Sequence, residues 1–410
     1  MENKATKLTE KRYLVPFILI TTLFFLWGFS RAILDVLNKH LQNEMAISIT
    51  KSAFIQVSTY LAYFLMAIPA GLFINRFGYR RGVVMGLLLF GCGALLFIPG
   101  ASVASFGVYL GALFVIGCGL VFLEVTANPY VTELGSKSTA TSRLNFSQSF
   151  NGLGSLFATF VVGQFFFSGS GNGGNVAIPY TVLGILVLCI AVVFAKVNLP
   201  EIQQKESDEE TVAVSEKKSN GLANIGELFT HHPMFVFGLF ALLAYEVAEI
   251  SINSYFINFV SNQGWMSDNM ASVVLTCALA FFMVGRFVGS WVMRFVKAQQ
   301  MLLICAIGTV VSIAIVLLDM EMVSLAGLLA NYLFEAIMFP TIFALSLNGL
   351  GNLTKSASSL LMMTPVGGCG FLLMGLIADR MDNFVLPFVI PFIGFIVVLI
   401  YALRLVRKPQ

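Results

Sequence analysis

Apolar runs long enough to cross a bilayer recur along the whole chain, separated by short polar breaks. A membrane-crossing helix needs about 20 predominantly apolar residues. Runs of that kind cover residues 13–38, 52–75, 82–99, 104–131, 144–167 and 177–197, then 233–260, 269–294, 300–318, 322–348, 356–378 and 384–405. The pattern predicts an all-α integral membrane protein with twelve spans, numbered 1 to 12 below. The longest break, residues 198–232, holds "EIQQKESDEETVAVSEKKSN", charged and poor in aromatics, and reads as a flexible linker. The chain thus divides into a six-helix half over 1–200, a linker over 201–232 and a second half over 233–410. Span 2 ends "GLFINRF" (Gly71–Phe77) and span 8 ends "GSWVMRF" (Gly289–Phe295), while spans 4 and 10 each carry a proline, Pro129 and Pro340. These echoes point to a duplicated six-helix unit, and two such halves to alternating access around a central site.

Composition agrees with that pattern. The 410 residues are 58% apolar and 11% charged, against about 25% charged in soluble domains. Charge placement fixes an expected orientation. Only Lys39, Lys51 and Arg380 fall in outer loops and Arg31 and Arg286 within spans, leaving nineteen of the 24 Lys and Arg on the side of the N-terminus. By the positive-inside rule both termini are expected in the cytoplasm. The apolar run after the first dozen residues is too long for a signal-peptide core and is read as span 1. A net charge of +3 without a clustered basic face gives no support for nucleic-acid binding. The six cysteines sit singly in apolar runs, so neither a disulfide framework nor a zinc site is indicated.

Chemistry is expected where polar residues interrupt the oil. A charge at the bilayer centre costs about 2.5–3.5 kcal/mol on insertion scales, yet Asp35, Glu124, Glu246, Glu249 and Glu335 all lie inside predicted spans. Helical spacing groups them with amides: Arg31, Asp35 and Asn38 on span 1; Glu124 and Asn128 on span 4, followed by the helix-breaking Pro129; Gln148 and Asn151 on span 5; Glu246, Glu249 and Asn253 on span 7; Asn331 and Glu335 on span 10. Polar faces on five helices point to one wet cavity. Groups that both donate and accept suit vicinal hydroxyls, and nearby aromatics such as Trp27, Tyr60 and Tyr63 suit the C–H face of a pyranose. This supports a polar solute; a sugar follows from it only weakly. A carboxylic acid in a low-dielectric cavity can load and release a proton, and Asp35 and Glu124 are the expected coupling residues. Sodium coupling, which needs several oxygens around one ion, stays open. Blander roles stand beside these: Arg31 as an ion-pair partner of Asp35, Glu246 as a helix-interface residue, and Arg76, Arg80 and Arg81 as a topology element and cytoplasmic gate.

The stretches "FFLWGF…LDVL", "GLFINRFGYRRG", "LEVTANPYVTELG", "SRLNFSQSFNGLGS" and "MFPTIFALSLNGLG" resemble the fucose–galactose–glucose:proton symporters of the major facilitator superfamily, through both halves. The resemblance implies the twelve-helix major facilitator fold and import of a neutral hexose or deoxyhexose with a proton. It implies a proton-translocating aspartate at Asp35, proton and sugar handling at Glu124, and sugar contacts from Gln148, Asn151 and Asn128. Glu249 falls where glucose/galactose-type members carry a glutamate. Asn253 and Glu335 complete the expected substrate set. The sequence departs from the family pattern at Leu34, at Arg31, at Glu335-Ala336 and in "GGCGFLL", which lacks a proline. No cofactor is expected, and the chain is expected to work as a monomer in a bacterial inner membrane. The rival readings are a proton-driven sugar or drug exporter, lowered by the absence of a proline- and glycine-rich span 5, and a non-transporting sugar sensor, lowered by a linker too short to hold a domain. An enzyme is not indicated, because no nucleophile–base pair, metal cluster or cofactor loop is present in the pattern.

Overall fold

A computed structural model describes residues 9, 11–135, 140–167, 175–197, 221–293 and 295–407. Twelve helices in it are long and apolar enough to cross a membrane: Lys11–Met45, Ile49–Ile74, Tyr79–Val103, Phe106–Asn128, Phe146–Phe167 and Ala177–Lys196, then Pro233–Asn262, Asp268–Val292, Ala298–Val316, Glu321–Leu347, Ser356–Met381 and Leu386–Arg407. They keep the numbers 1 to 12. Helices bond their own backbone groups, which is what a hydrocarbon environment demands. The twelve predicted runs and the twelve helices coincide. Their outward faces stay apolar and uncovered, for example Ile18, Val182, Leu186 and Phe287, as lipid contact requires.

Three differences from the sequence pattern have physical causes. Span 1 continues to Met45, well past the predicted end at 38. Its last turns carry Lys39, His40 and Gln42, which hydropathy reads as an end but which are buried by neighbouring spans. Of the predicted linker, 198–220 lies outside the described residues. The remainder, Gly221–His231, is a helix rather than a flexible tether, with Leu228 buried where it packs on spans 7 and 11.

The two prolines also behave differently. The helix of span 4 runs unbroken through residue 129 to Glu133, so the expected helix-breaking pair bends no register there. Span 10 does break: one helix ends at Glu335 and the next starts at Met338. Pro340 has no N–H to offer the carbonyl of Ala336, and its ring crowds that carbonyl.

Spans 1–6 pack chiefly on one another, as do spans 7–12. The two groups meet firmly at the end remote from the N-terminus. There the Lys39 Nζ donates to Asn262 Oδ1 at 2.9 Å and lies 3.8 Å from Asp268. Asn43 donates to Asp268 at 2.7 Å. Asp379 of span 11 accepts from the backbone N–H groups of Ile49 and Thr50 at 3.3 and 2.8 Å. A carboxylate from one half thus caps the first turn of span 2 in the other, where N–H groups have no helical acceptor. Deeper in, Gln56 Nε2 donates to Ser254 Oγ at 2.9 Å. At the opposite end, beside the N-terminus, none of the described polar contacts crosses between halves.

Hydrogen bonds to a charged acceptor are worth about 1.5–3 kcal/mol each, so Asp379→Ala is expected to loosen the closed end. Ala53 is fully buried just inside it. In a variant stripped of native cysteines, a cysteine at position 53 should react several-fold faster with a membrane-impermeant maleimide once Asp379 is replaced. Equal rates would show that Asp379 does not hold this end shut.

Candidate functional site

Between the halves lies a large cavity of about 1170 Å³, open toward the N-terminal end and walled by spans 1, 2, 4, 5, 7, 8, 10 and 11, with the first residue of span 9 at its rim. Small-molecule sites commonly occupy 300–1,000 Å³, so a monosaccharide would fit with water to spare.

The wall built by the first half depends on a close crossing of spans 1 and 5. A Cβ on Gly28 would sit 1.9 Å from the Asn151 carbonyl oxygen, and one on Gly154 would sit 2.1 Å from that of Phe25. Only glycine permits these contacts, and they press Asn151 and Gln148 toward the cavity beside span 1. Gln148 Nε2 donates to Asn128 Oδ1 at 3.3 Å, joining spans 5 and 4. Asn151 Nδ2 is buried with no acceptor among the described residues. Glu124 stands one turn before Asn128 on the same wall and, among the described residues, makes no hydrogen bond or ion pair. Trp27 borders the same groups and donates through Nε1 to Tyr63 Oη at 3.1 Å. One face therefore offers two unsatisfied polar groups, an amide pair and an indole plane.

The facing wall carries charge. The Arg31 guanidinium on span 1 reaches across to span 7, 2.9 Å from Glu249 Oε2 and 3.6 Å from Glu246 Oε2. Glu249 also accepts from Asn253 Nδ2 through Oε1 at 3.1 Å. One cation thus faces two carboxylates at the junction of the halves. The expected pairing of Arg31 with Asp35 is not what forms: no ion pair joins them within 4.0 Å among the described residues. Asp35 instead accepts from Ser254 Oγ at 2.8 Å. Span 7 has simply come closer to Arg31 than the next turn of its own helix.

Of the sequence-predicted site residues, Arg31, Glu124, Asn128, Gln148, Asn151 and Glu249 share the cavity. Asp35, Asn253 and Glu335 do not line it. Asp35 lies behind the wall toward the closed end, at the foot of the Gln56–Ser254 chain. Glu335 is fully buried and accepts from Asn331 Nδ2 at 2.6 Å, its own helical neighbour. Arg76, Arg80 and Arg81 stand at the open end, away from the cavity wall. Arg80 ties span 3 to the Phe194 and Ala195 carbonyls at the last turn of span 6, within its own half, and Arg76 lies over the Phe77 ring. In this state they close nothing. Glu246, grouped with Glu249 by helical spacing, also lines the cavity, as does Tyr245; Arg286, noted in the sequence only as a charge within a span, lines it without having been assigned to the site. Arg286 carries the same signal as the acids, a charge inside a span, but its one polar neighbour at helical spacing is the hydroxyl of Ser290, a weaker mark of a polar face than an acid or amide.

A bundle of twelve spans around one polar cavity, sealed at one end and open at the other, is the build of a solute carrier. The chain belongs to the Major Facilitator Superfamily, whose family profile matches residues 20–368. It is 34% identical over 404 residues to the glucose/galactose transporter of Brucella abortus biovar 1 (strain 9-941), covering 96% of this chain and 95% of that protein. It is 31% identical to the L-fucose-proton symporter of Haemophilus influenzae, covering 97% and 98% respectively. Among solved structures it is similar to a variant of the E. coli fucose:proton symporter FucP, with a TM-score of 0.72 and 27% identity over 97% of this chain and all of that one. A further FucP structure, in the outward conformation, gives 0.72 and 29%.

Removing one partner of a fully buried ion pair costs about 3–5 kcal/mol. Water on the cavity side reaches the Arg31 side chain, 33% exposed, so a smaller loss is expected here. Arg31→Ala should lower thermal stability in detergent, and Arg31→Ala with Glu249→Gln should recover part of it, because fewer uncompensated carboxylates remain. Strictly additive losses would contradict the pairing.

Proposed function

We propose that this protein imports a neutral hexose or deoxyhexose of the L-fucose, galactose or glucose type together with a proton, by alternating access. The observation that carries the reading is the wall of Glu124, Asn128, Gln148, Asn151 and Trp27. Amide donors and acceptors, a carboxyl group and an aromatic plane meet there on one side of an open cavity. Hydroxyl pairs need groups that donate and accept together, and a pyranose stacks its C–H face on an indole. The curated relatives named for glucose, galactose and fucose transport support the same class.

In this reading the chain lies in a bacterial inner membrane with both termini cytoplasmic, so the open end faces the cytoplasm. The two halves, 1–200 and 233–410, rock against each other while the linker spans them. A single chain holds a complete cavity, so a monomer suffices. Glu124 takes up a proton beside the sugar, and Asp35, reached from the closed end past Gln56 and Ser254, is the second coupling carboxyl. A neutral acid crosses the occluded state at lower cost than a carboxylate. Arg76, Arg80 and Arg81 act as the cytoplasmic gate when the opposite end opens.

The test is transport in proteoliposomes with radiolabelled L-fucose, D-galactose and D-glucose under an imposed pH gradient, inside alkaline. Accumulation of at least one sugar is expected, and a sodium gradient at fixed pH should drive none. Glu124→Gln should keep sugar counterflow while losing gradient-driven accumulation. Accumulation retained in that variant would remove Glu124 from coupling. Silence with all three sugars would overturn the hexose reading.

A further inference from the structure

At the break in span 10 two carbonyls lack helical donors: that of Ala336, whose donor position is occupied by Pro340, and that of Glu335, where the helix ends. Such orphans are costly where no water can reach them. Neighbouring spans supply both donors. Tyr245 of span 7 donates through Oη to the Glu335 carbonyl at 3.1 Å, and Arg286 of span 8 donates through Nε to the Ala336 carbonyl at 3.2 Å. Span 8 can come this close because of Gly285, where a Cβ would lie 2.6 Å from the Leu333 carbonyl oxygen.

The two caps are not equivalent. Tyr245 shows that a neutral hydroxyl is enough to satisfy an orphan carbonyl, so capping alone does not call for a guanidinium inside a membrane. Arg286 lines the cavity, with its guanidinium 4.8 Å from the centre of the Phe282 ring. Among the described residues no carboxylate stands within 4.0 Å of it, whereas Arg31 has two. With Nε committed to Ala336, both terminal Nη groups lack a hydrogen-bonded acceptor among the described residues. A guanidinium offers five N–H donors in a rigid plane, and here one of them fixes that plane.

We infer that Arg286 is a substrate-contacting residue of the second half, whose Nη groups bind two neighbouring oxygens of the sugar while Nε holds the Ala336 carbonyl. This rests on the sugar-transport reading above. Two oxygens at the spacing of vicinal hydroxyls, or a hydroxyl and the ring oxygen, match the fork of a guanidinium; an ammonium does not present that fork. The sugar then joins the amides of spans 4 and 5 to the break in span 10, so substrate occupancy and the shape of span 10 are read by one side chain.

A purely structural cap and a substrate ligand make opposite predictions in the background of Pro340→Ala, which restores a backbone N–H for Ala336. Counterflow of L-fucose, D-galactose and D-glucose is measured in proteoliposomes for the parent, R286Q, R286K, P340A and P340A/R286Q, each checked for a monodisperse, cooperatively unfolding protein. R286Q and R286K are expected to raise the apparent KM at least about tenfold, equivalent to about 1.4 kcal/mol, with a smaller effect on maximal exchange. P340A/R286Q should keep that increase relative to P340A. Removing the contacted hydroxyl, tested with monodeoxy analogues, should weaken counterflow in the parent but not in R286Q. A KM in P340A/R286Q equal to that of P340A, or the same analogue penalties in parent and R286Q, would make Arg286 a cap only. Should R286Q not fold, the P340A pair carries the comparison. A parent without counterflow for any of the three sugars would overturn the sugar reading itself, a separate outcome from failure of the Arg286 role.

Discussion

A buried charge in hydrocarbon needs a partner, water or a bound ligand, and this requirement organises the interior from the cavity outward. Arg31 draws Glu246 and Glu249 across the junction of the halves. Asp35 is held by a serine of the opposite half that is itself held by a glutamine of span 2. Glu335 closes on Asn331 within one helix. Glu124 faces the open cavity and, in the proposed cycle, meets a proton and a sugar there. Each solution places its helix, and the large cavity lies among them.

The same logic governs the ends of the molecule. Where the halves meet, backbone N–H groups at the start of span 2 find their acceptor in Asp379 of the other half. The closure therefore includes a few discrete polar contacts between the halves. Such contacts can be exchanged for water when the end opens, which is what a rocking mechanism demands.

Breaks in helices carry function for a related reason. A proline in span 4 leaves the helix intact to Glu133, whereas one in span 10 interrupts it beside the cavity. The difference lies in the neighbours: Tyr245 and Arg286 stand ready to satisfy the carbonyls that the break exposes. Irregular backbone in a membrane is tolerated where it borders a cavity or packed protein, and the cavity is where span 10 uses it.

The amino-acid sequence by itself determined the twelve spans, because insertion depends on summed hydropathy over about 20 residues, a property local to each run. It also marked much of the charged and amide part of the cavity wall, because an acid or amide inside a span is expensive enough to betray a function: Glu124, Asn128, Gln148, Asn151, Glu246 and Glu249 were legible in this way. Tertiary structure alone decided which charges meet. Arg31 pairs with span 7 instead of its own next turn, Glu335 and Asn253 turn away from the cavity, and Arg286 turns into it. Helical periodicity fixes the face a residue occupies along one helix, but not which helix packs against that face. That choice depends on close crossings such as Gly28 against Asn151 and on long-range pairing, neither of which is a property of any single stretch of chain.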